Sequence, residues 1–453
     1  MTNVIKIRKG LDIRLKGKAT EKFVDIGKSG VYAVVPDHYV GLAPKAVVRT
    51  GDRVRAGDPL MIDKSCPEIK FVSPVSGEVT GINRGEKRKI LSITVKPDEQ
   101  IEFKQFDVKD SDTLDADSLK ALLLDAGMWP YIRQRPYDRM ANPSLTPRDI
   151  FVTAFDSAPL APDFNIVVKG EEEELRTGLQ ALSKLTPGKV HLGVKGGASF
   201  SSSGVGQGTF LVELYGPHPV GNVGVMINHV KPVNKGETVW TLNAADVLFI
   251  GRLLLTGTVD LSRVVALTGS ELSESGYAKA ISGCTIGSLV QGKLAANGRL
   301  KRIVSGNVLT GVQVSMDDYL GAYHNQITAI PEGDDIHEFV GWAMPGFGKY
   351  SVSRTYFTWL SGKNREYKLD ARIRGGKRAM IMSNEYDKVF PMDILPEYLL
   401  KAIIAFDIEK MENLGIYEVA PEDFALCEFV DTSKIEIQQI VRMGLDLLYK
   451  ENY

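Results

Sequence analysis

The chain has 453 residues, of which 43% are hydrophobic and 25% are charged, with 55 Lys and Arg against 56 Asp and Glu. This length exceeds what one hydrophobic core supports, so we expect two to four domains. The balanced charge gives no field that attracts nucleic acid, which disfavours a nucleic-acid partner. Three widely spaced cysteines, Cys66, Cys284 and Cys427, predict neither a disulfide framework nor a metal knuckle, a usage that fits a reducing cytosol.

The N-terminal residues carry charges at intervals and contain no continuous apolar region, which is unlike a secretory signal. The two most apolar stretches cover residues 247–255 and 398–406, and both are short and interrupted by charge. A membrane-spanning helix needs roughly 20 apolar residues. We therefore expect any membrane contact to be made through a partner.

The first hundred residues are rich in Gly, Val and Ile, with turn residues every few positions, which is typical of short strands. Residues 51–60 and 73–82 are two stretches of alternating apolar and polar residues around Gly-Asp and Ser-Gly turns, and they flank one hairpin. The sequence therefore predicts an all-β module first.

The pattern changes near Thr113, where Leu119, Leu122 and Leu123 share one face of a predicted helix that Gly127 can end. A second domain is expected to begin here.

A strand, a helix and a second strand follow at residues 150–157, 171–185 and 189–194. This order predicts a parallel α/β unit. The acidic run Glu171–Glu174 falls in the first turn of the helix, where it complements the helix dipole, so we interpret it as a helix start rather than a metal site.

The remainder of the chain predicts a further β module and then helices. Helical periodicity is expected at residues 246–257 and again from Ile394 to the end. Short strands separated by glycine turns are expected at residues 264–269, 287–292 and 301–312.

Two lysines lie in or beside the tip of the predicted N-terminal hairpin, which reads DKSCPEIK. The surrounding turns resemble those of the biotinyl/lipoyl carrier fold, whose carriers present a modified lysine between two hydrophobic residues. Lys64 instead lies between Asp63 and Ser65, and Lys70 is expected inside the returning strand. We therefore predict a carrier-like fold without a carried group.

Residues 193–208 form a Gly- and Ser-rich stretch whose backbone N–H groups could bind phosphate, although the spacing matches neither dinucleotide nor P-loop patterns. An ordinary turn is the simpler interpretation. His218 and His229 are expected to flank a strand pair, as turn histidines or hydrogen-bonded core histidines rather than zinc ligands.

Several stretches in a fixed order resemble the NqrA family, the A subunits of the Na+-translocating NADH:quinone reductase (NQR), along the whole chain. These stretches are KIRKGLDIRLKG, GDRVRAGDPLMIDK with PVSGEVTGI, YGPHPVGNVGVMI, RIVSGNVLTG and LCEFVDTSKIE. That family is related to the C subunit of the Rnf complex and to the flavin subunit of respiratory complex I.

The resemblance implies an α+β multidomain fold. The implied parts are a barrel-sandwich hybrid (biotinyl/lipoyl-like) domain at residues 1–103, a Rossmann-like α/β domain at 104–257, a β-grasp (SLBB-like) domain at 258–335, a mixed connecting region at 336–390 and a C-terminal helical domain at 391–453.

The relatives of this family bind flavin and NADH at a glycine-rich loop that follows a helix. Here the corresponding residues 127–139 carry bulky side chains in place of glycines, which would fill the space a flavin ring needs. The resemblance therefore implies loss of that cofactor site. The aromatic and basic side chains could hold a quinone or form an interface with a neighbouring protein of the complex; they are Trp129, Tyr131, Arg133, Arg135 and Tyr137.

The Rnf relative also carries two ferredoxin-type cysteine runs. In this chain Cys427 matches one ligand position, while Pro421, Phe424 and Asp431 occupy the other three, and the first run contains no cysteine. One thiolate cannot hold a [4Fe–4S] cluster. We therefore expect no cluster, no metal and no other cofactor bound by this chain.

The resemblance places the chain at the cytoplasmic side of the bacterial inner membrane, in a complex that uses NADH, flavins, iron–sulphur centres, quinone and Na+. The expected partners are the other NQR subunits, chiefly the membrane-embedded B subunit, with quinone as a further candidate ligand. No catalytic residue is expected in the isolated protein. Two alternatives remain open at this stage: a free-standing biotinyl-like carrier and a soluble NADH dehydrogenase.

Overall fold

The computed structural model describes residues 3–108, 114–197, 205–206, 208–334, 348–362 and 364–452. No helix within these ranges is both long and apolar enough to cross a membrane.

The N-terminal part contains only strands and short turns of 3₁₀ helix. Its strands are β1 (Asn3–Lys6), β2 (Tyr32–Val34), β3 (Pro44–Ala46), β4 (Arg53–Val54), β5 (Pro59–Asp63), β6 (Lys70–Val72), β7 (Gly77–Arg84) and β8 (Ile90–Pro97). A four-stranded sheet in the order β2-β8-β7-β4 faces a three-stranded sheet in the order β3-β5-β6. Leu60, Phe71 and Ile93 are buried in the shared core.

The predicted hairpin is formed by β5 and β6. Lys64 is exposed in the turn, and Lys70 lies inside β6, where its ammonium contacts the carboxylate of Asp125. The predicted position of Lys70 in the returning strand is confirmed.

The central part alternates helices and strands. Its elements are α1 (Ala116–Asp125), β9 (Arg133–Arg135), β10 (Arg139–Met140), β11 (Ile150–Thr153), α2 (Phe164–Val167), α3 (Glu172–Ser183), β12 (Val190–Lys195), β13 (Thr209–Tyr215), α4 (Val223–Val230), β14 (Val239–Asn243) and α5 (Ala244–Thr256). One seven-stranded sheet runs in the order β1-β13-β12-β11-β14-β9-β10, parallel except at β9 and β10. The predicted α/β unit is confirmed.

The first strand, β1, belongs to the sheet of the central part, and the predicted domain boundaries stay predictions. Residues Asn3–Lys6 pair in parallel with Val212–Tyr215 of β13, outside the N-terminal sheets. Ile5 and Ile7 are buried together with Leu214, because all three side chains belong to the apolar core on one face of the α/β sheet.

A third part is built on a mixed sheet. Its elements are β15 (Ser262–Thr268), β16 (Gly276–Ile281), α6 (Ile286–Val290), β17 (Lys301–Ser305), β18 (Val312–Val314) and β19 (Gln326–Pro331), in the sheet order β16-β15-β19-β17-β18. The predicted strand at residues 287–292 is wrong. Thr285 accepts a hydrogen bond from the backbone N–H of Ser288 and caps a helix there instead.

The C-terminal part is helical, with α7 (Pro396–Ile404), α8 (Ile408–Asn413), α9 (Ala425–Val430) and α10 (Ile437–Asn452). Phe406, with φ of +55°, separates α7 from α8 within one predicted helical stretch. In the predicted connecting region, residues 336–347 and residue 363 lie outside the described residues, and the rest contains the 3₁₀ helices Phe357–Ser361 and Tyr386–Lys388.

The α/β sheet separates two cores. Ile150 and Val152 of β11 belong to the core that contains α3, α5 and the N-terminal sheets, whereas Phe151 belongs to the core shared with α4 and the C-terminal helices. This alternation follows from the two-residue period of a strand. The C-terminal helices therefore cover one face of the sheet.

Candidate functional site

A cavity of about 450 Å³ lies where the strand order of the α/β sheet reverses. β11 has β12 on one side and β14 on the other, because the chain passes from β11 to β12 and β13 and then crosses back to β14. Ligands of open α/β sheets bind beyond the carboxyl ends of strands at such a position. Thr153 and Ala154 at the end of β11 and Asn243 at the end of β14 line the cavity. The fold thus supplies a ligand-sized space at its switch point.

Trp129 does not line the cavity. Its side chain is fully buried, its ring packs edge-on against Trp240 at 5.2 Å, and its Nε1–H donates to the carbonyl of Ala141 at 2.7 Å. The bulky side chain therefore fills the protein interior and is not accessible to a partner.

Arg135 is also fully buried and joins two distant parts of the chain. Its guanidinium lies 3.1 Å from a carboxylate oxygen of Glu422 and 3.3 Å from one of Asp423. Gly224 leaves room for the Asp423 carboxylate, since a Cβ there would lie 2.4 Å from its oxygens. The side chain thus connects β9 to the segment before α9.

Tyr137 packs against the last helix. Its ring meets Tyr449 edge-on at 5.3 Å, its carbonyl accepts a 2.6 Å hydrogen bond from Arg442, and its hydroxyl accepts one from Asn452 at 3.2 Å. Like Arg135, it contributes to the attachment of the C-terminal helices.

Only two of the five predicted residues, Tyr131 and Arg133, line the cavity. The Tyr131 ring packs edge-on against Phe249 at 5.1 Å. The Arg133 guanidinium lies 5.2 Å from the ring centre of Tyr323 and 3.4 Å from a carboxylate oxygen of Asp138. The structure therefore separates the predicted cluster into an interior group and a cavity group.

Three histidines that the sequence did not suggest as ligand contacts also line the cavity: His38, His218 and His324. His218 Nδ1 is 3.0 Å from Ser157 Oγ, and His324 Nδ1 is 2.9 Å from Ser305 Oγ. The interpretation of His218 as a hydrogen-bonded histidine is confirmed. Since the serines lie 61 and 19 residues away, no local sequence pattern could have revealed either pair.

The predicted strand pair around His218 and His229 is wrong, because β13 is followed by the helix α4. His229 lies in that helix, and its Nδ1 is 2.9 Å from the carbonyl of Val225. The Gly- and Ser-rich stretch runs from the end of β12 toward β13, but residues 198–204 and 207 lie outside the described residues. The phosphate-binding alternative therefore stays a prediction.

Acidic groups outnumber basic ones around the cavity. Two guanidinium groups, those of Arg133 and Arg442, line it, together with five carboxylates, those of Asp37, Asp138, Asp156, Asp246 and Glu422. Burial raises the pKa of Asp246 to about 6 even though Arg263 lies 3.0 Å away. Both guanidinium groups of the lining are already ion-paired, Arg133 with Asp138 and Arg442 with Asp446, which disfavours an anionic ligand.

Cys427 lies in an apolar environment, and burial raises the pKa of its thiol well above its usual range. At two of the other positions of the cysteine run, Phe424 packs against Phe390 at 4.8 Å, and Asp431 accepts hydrogen bonds from Tyr386 and Ser433. Within the described residues no group of three or more His, Cys, Asp or Glu is placed to hold a metal ion. The absence of a cluster stays a prediction.

Comparison with known proteins places this architecture in a family. Three family models match in chain order: the NqrA N-terminal barrel-sandwich hybrid domain at residues 5–98, the NqrA second alpha/beta domain at residues 114–259 and the NQRA C-terminal domain at residues 264–316. The A subunit of the Na(+)-translocating NADH-quinone reductase of Neisseria meningitidis serogroup A is 36% identical over 451 residues, covering 99% of this chain and all of the relative. The chain belongs to the NqrA family.

The same protein from Serratia proteamaculans is 36% identical over 453 residues, with 99% of this chain and all of the relative covered. Among solved structures, an NAD+-reducing [NiFe]-hydrogenase in the H2-reduced state aligns with a TM-score of 0.34 and 11% identity over 48% of this chain and 49% of that chain. The family membership rests on the full-length relatives.

Membership of the NqrA family accounts for the multidomain α+β fold, with a barrel-sandwich domain followed by an α/β domain. The model of the second domain covers the whole 129–137 stretch and the strands that end at the cavity. Both the interior group and the cavity group therefore belong to the part of the chain that the family shares.

Proposed function

We propose that this NqrA family member is a peripheral, cytoplasmic-side component of a Na+-translocating NADH:quinone reductase, which docks onto the membrane-embedded B subunit and binds the quinone head group in the central cavity. Electron transfer through flavins, iron–sulphur centres and NADH is assigned to the other components of the complex. The isolated chain has no catalytic role under this proposal. Full-length similarity to proteins named as the A subunit of this reductase supports it.

The observation that carries the quinone part is the cavity at the switch point of the α/β sheet. Tyr131 and Tyr323 provide aromatic surface, and Arg133 provides a hydrogen-bond donor beside it. Ligand sites combine apolar walls with a few polar groups in this way. The two arginines of the lining are occupied by Asp138 and Asp446 and offer the phosphates of FMN or NADH no unpaired cation, which favours an uncharged head group.

Docking through the predicted loop is not supported, because Trp129 and Arg135 are inaccessible. A hot spot must be reachable by the partner before assembly. A better candidate surface is an apolar group at α7: Tyr398 and Ile404 on its exposed side, with Leu395 and Phe406 at its two ends. Exposed apolar groups of this kind mark interaction sites. We assign docking on the B subunit to this α7 surface.

The finer fold assignments belong to the same proposal. The order β13-β12-β11-β14 favours a Rossmann-like description of residues 104–257, and the mixed five-stranded sheet with α6 favours a β-grasp, SLBB-like description of residues 258–335. The helices from residue 391 onward then form the C-terminal domain.

The quinone part is tested by isothermal titration of the purified chain with a short-chain ubiquinone. Saturable binding at one site is expected, and it should be lost on replacing Ala154, which lines the cavity, by Trp. A titration without saturable heat contradicts the quinone assignment.

The docking part is tested by co-purification of the B subunit with an affinity-tagged form of this chain. Tyr398→Glu and Phe406→Glu together should lower the recovery of this partner at least tenfold, because two charges would enter an apolar contact. Leu300→Glu is the matched control, since Leu300 is an exposed leucine in a loop away from α7. Equal recovery with all variants contradicts the α7 surface.

A further inference from the structure

His218 and His324 reach the cavity from two different parts of the chain. His218 lies between β13 and α4 in the α/β part, and His324 lies just before β19 in the third part. A ligand that contacts both side chains would therefore connect the two parts.

The hydrogen bonds of the two serines favour one position for the proton of each imidazole ring. Ser157 Oγ accepts a 2.9 Å hydrogen bond from the N–H of Gly221, and Ser305 Oγ accepts a 3.0 Å hydrogen bond from the N–H of Gly321. Within the described residues, the only other hydrogen-bond partner of either hydroxyl is the neighbouring imidazole Nδ1. The arrangement that gives each hydroxyl both an acceptor and a donor partner has the hydroxyl donating a hydrogen bond to Nδ1, with the ring proton on Nε2.

Both imidazoles are uncharged at neutral pH. Burial lowers the pKa of His218 to about 4 and that of His324 to about 3. Each ring therefore offers one N–H donor at Nε2. No hydrogen bond joins either Nε2 to another group in the ranges that the structure describes.

A second observation points to a polar ligand in the same cavity. Gln326 and Thr241 both line it and are at most 3% exposed. The Oε1 of Gln326 and the Oγ1 of Thr241 have no hydrogen-bond partner among the described residues. Buried polar atoms without a partner are uncommon, so they indicate that a further group forms hydrogen bonds with them.

We propose that the Nε2–H groups of His218 and His324 donate hydrogen bonds to carbonyl oxygens of an uncharged ligand in this cavity, which is the quinone head group if the proposed function holds. Two neutral donors suit two carbonyl acceptors, whereas the arginines of the lining are already paired with Asp138 and Asp446 and do not suit an anion. His218 and His324 are thus the residues that select a neutral dione.

The test compares two replacements at each histidine in the purified chain, titrated with a short-chain ubiquinone. Leucine removes the donor, whereas glutamine keeps an N–H near the position of Nε2. We expect His218→Leu and His324→Leu each to weaken binding at least tenfold, and the glutamine variants to stay within about threefold of the unaltered chain. His229→Leu is the control, because His229 bonds its own helix.

The outcomes separate this inference from the proposed function. Saturable quinone binding that is unchanged in both leucine variants overturns the role of the histidines and leaves the quinone site standing. Absence of binding to the unaltered chain overturns both. NADH binding as tight as quinone binding overturns the selection against anions.

A measurement on the unaltered chain avoids any folding defect of the variants. In ¹⁵N-histidine NMR, we expect His218 and His324 as neutral Nε2–H tautomers whose Nε2 signals shift when the ubiquinone is added. Observation of Nδ1–H tautomers, or of Nε2 signals that do not respond to saturating quinone, overturns the proposal.

Discussion

Arg133 and Arg135 point to the same side of one strand, yet they lie in different surroundings. Side chains two residues apart share a strand face, so local geometry makes the two arginines equivalent. Arg135 is fully buried beneath the segment that supplies Glu422 and Asp423, whereas the Arg133 side chain is 27% exposed at the cavity. The segment that contains Glu422 and Asp423, almost 300 residues later in the chain, therefore buries Arg135 and gives it a structural role. Arg133 is left accessible to a ligand.

The largest expected effect tests the structural side of this comparison. Arg135→Ala leaves the Asp423 carboxylate buried without its partner, which should lower the free energy of unfolding by about 3–5 kcal/mol. Urea unfolding followed by circular dichroism measures the change. Arg133→Ala is the matched control, with a smaller expected loss of about 1 kcal/mol, because Arg135 and Arg442 still act on its buried partner Asp138. Equal losses of unfolding free energy in the two variants would contradict the distinction between a structural Arg135 and a ligand-accessible Arg133.

The next effect concerns the charge state of the cavity histidines. Burial lowers the pKa of His218 to about 4, so the unfolded chain binds a proton below pH 6.5 that the folded chain does not. The contribution of neutral His218 to the free energy of unfolding is therefore fully present above pH 6.5 and is lost as the pH falls toward 4.

Between pH 7 and pH 4.5, the free energy of unfolding of the unaltered chain should fall by about 2 kcal/mol more than that of the His218→Gln variant. Thermal or urea unfolding of both chains at a series of pH values provides the comparison. A difference between the two chains that does not vary with pH would show that His218 is not a neutral interior group.

A smaller effect tests the ligand side of the comparison. Arg133→Gln removes a charged donor from the cavity and should weaken short-chain ubiquinone binding about tenfold, or about 1.4 kcal/mol, at nearly unchanged stability. Titration calorimetry gives the affinity. Arg299→Gln serves as the control, because Arg299 is exposed outside the cavity. An affinity equal to that of the control would place the ligand elsewhere.

The smallest effect refines the assignment of Tyr137. Tyr137→Phe removes the hydroxyl that accepts a hydrogen bond from Asn452 and keeps the ring contact with Tyr449. The expected loss of unfolding free energy is about 0.5–1.5 kcal/mol, with quinone affinity unchanged. Weakened quinone binding in this variant would move Tyr137 into the cavity group.

Local sequence pattern is sufficient to predict several elements of the fold. Leucine spacing locates α3, Gly257 ends α5 in a left-handed conformation, and alternating apolar residues locate the N-terminal hairpin. The strand expected at residues 287–292 is wrong because one capping threonine outweighs the apolar run. Local patterns are reliable where no single side-chain hydrogen bond competes with them.

The site is less predictable because its members meet only through the fold. The sequence draws attention to the 129–137 stretch, but nothing local to it indicates that the Glu422 segment buries Arg135 and leaves Arg133 accessible. The Ser157–His218 and Ser305–His324 pairs likewise depend on tertiary contacts. Residue type is therefore readable from the sequence, whereas accessibility is not.

The parallel pairing of β1 with β13 has a consequence for synthesis on the ribosome. Asn3–Lys6 leave the exit tunnel before their partner strand, which ends at Tyr215, about 200 residues later. Contacts so distant along the chain form late because the intervening loop must close first. Asn3–Lys6 therefore cannot pair until Tyr215 has been synthesised, and we expect their addition to the edge of the central sheet to be a late step of folding.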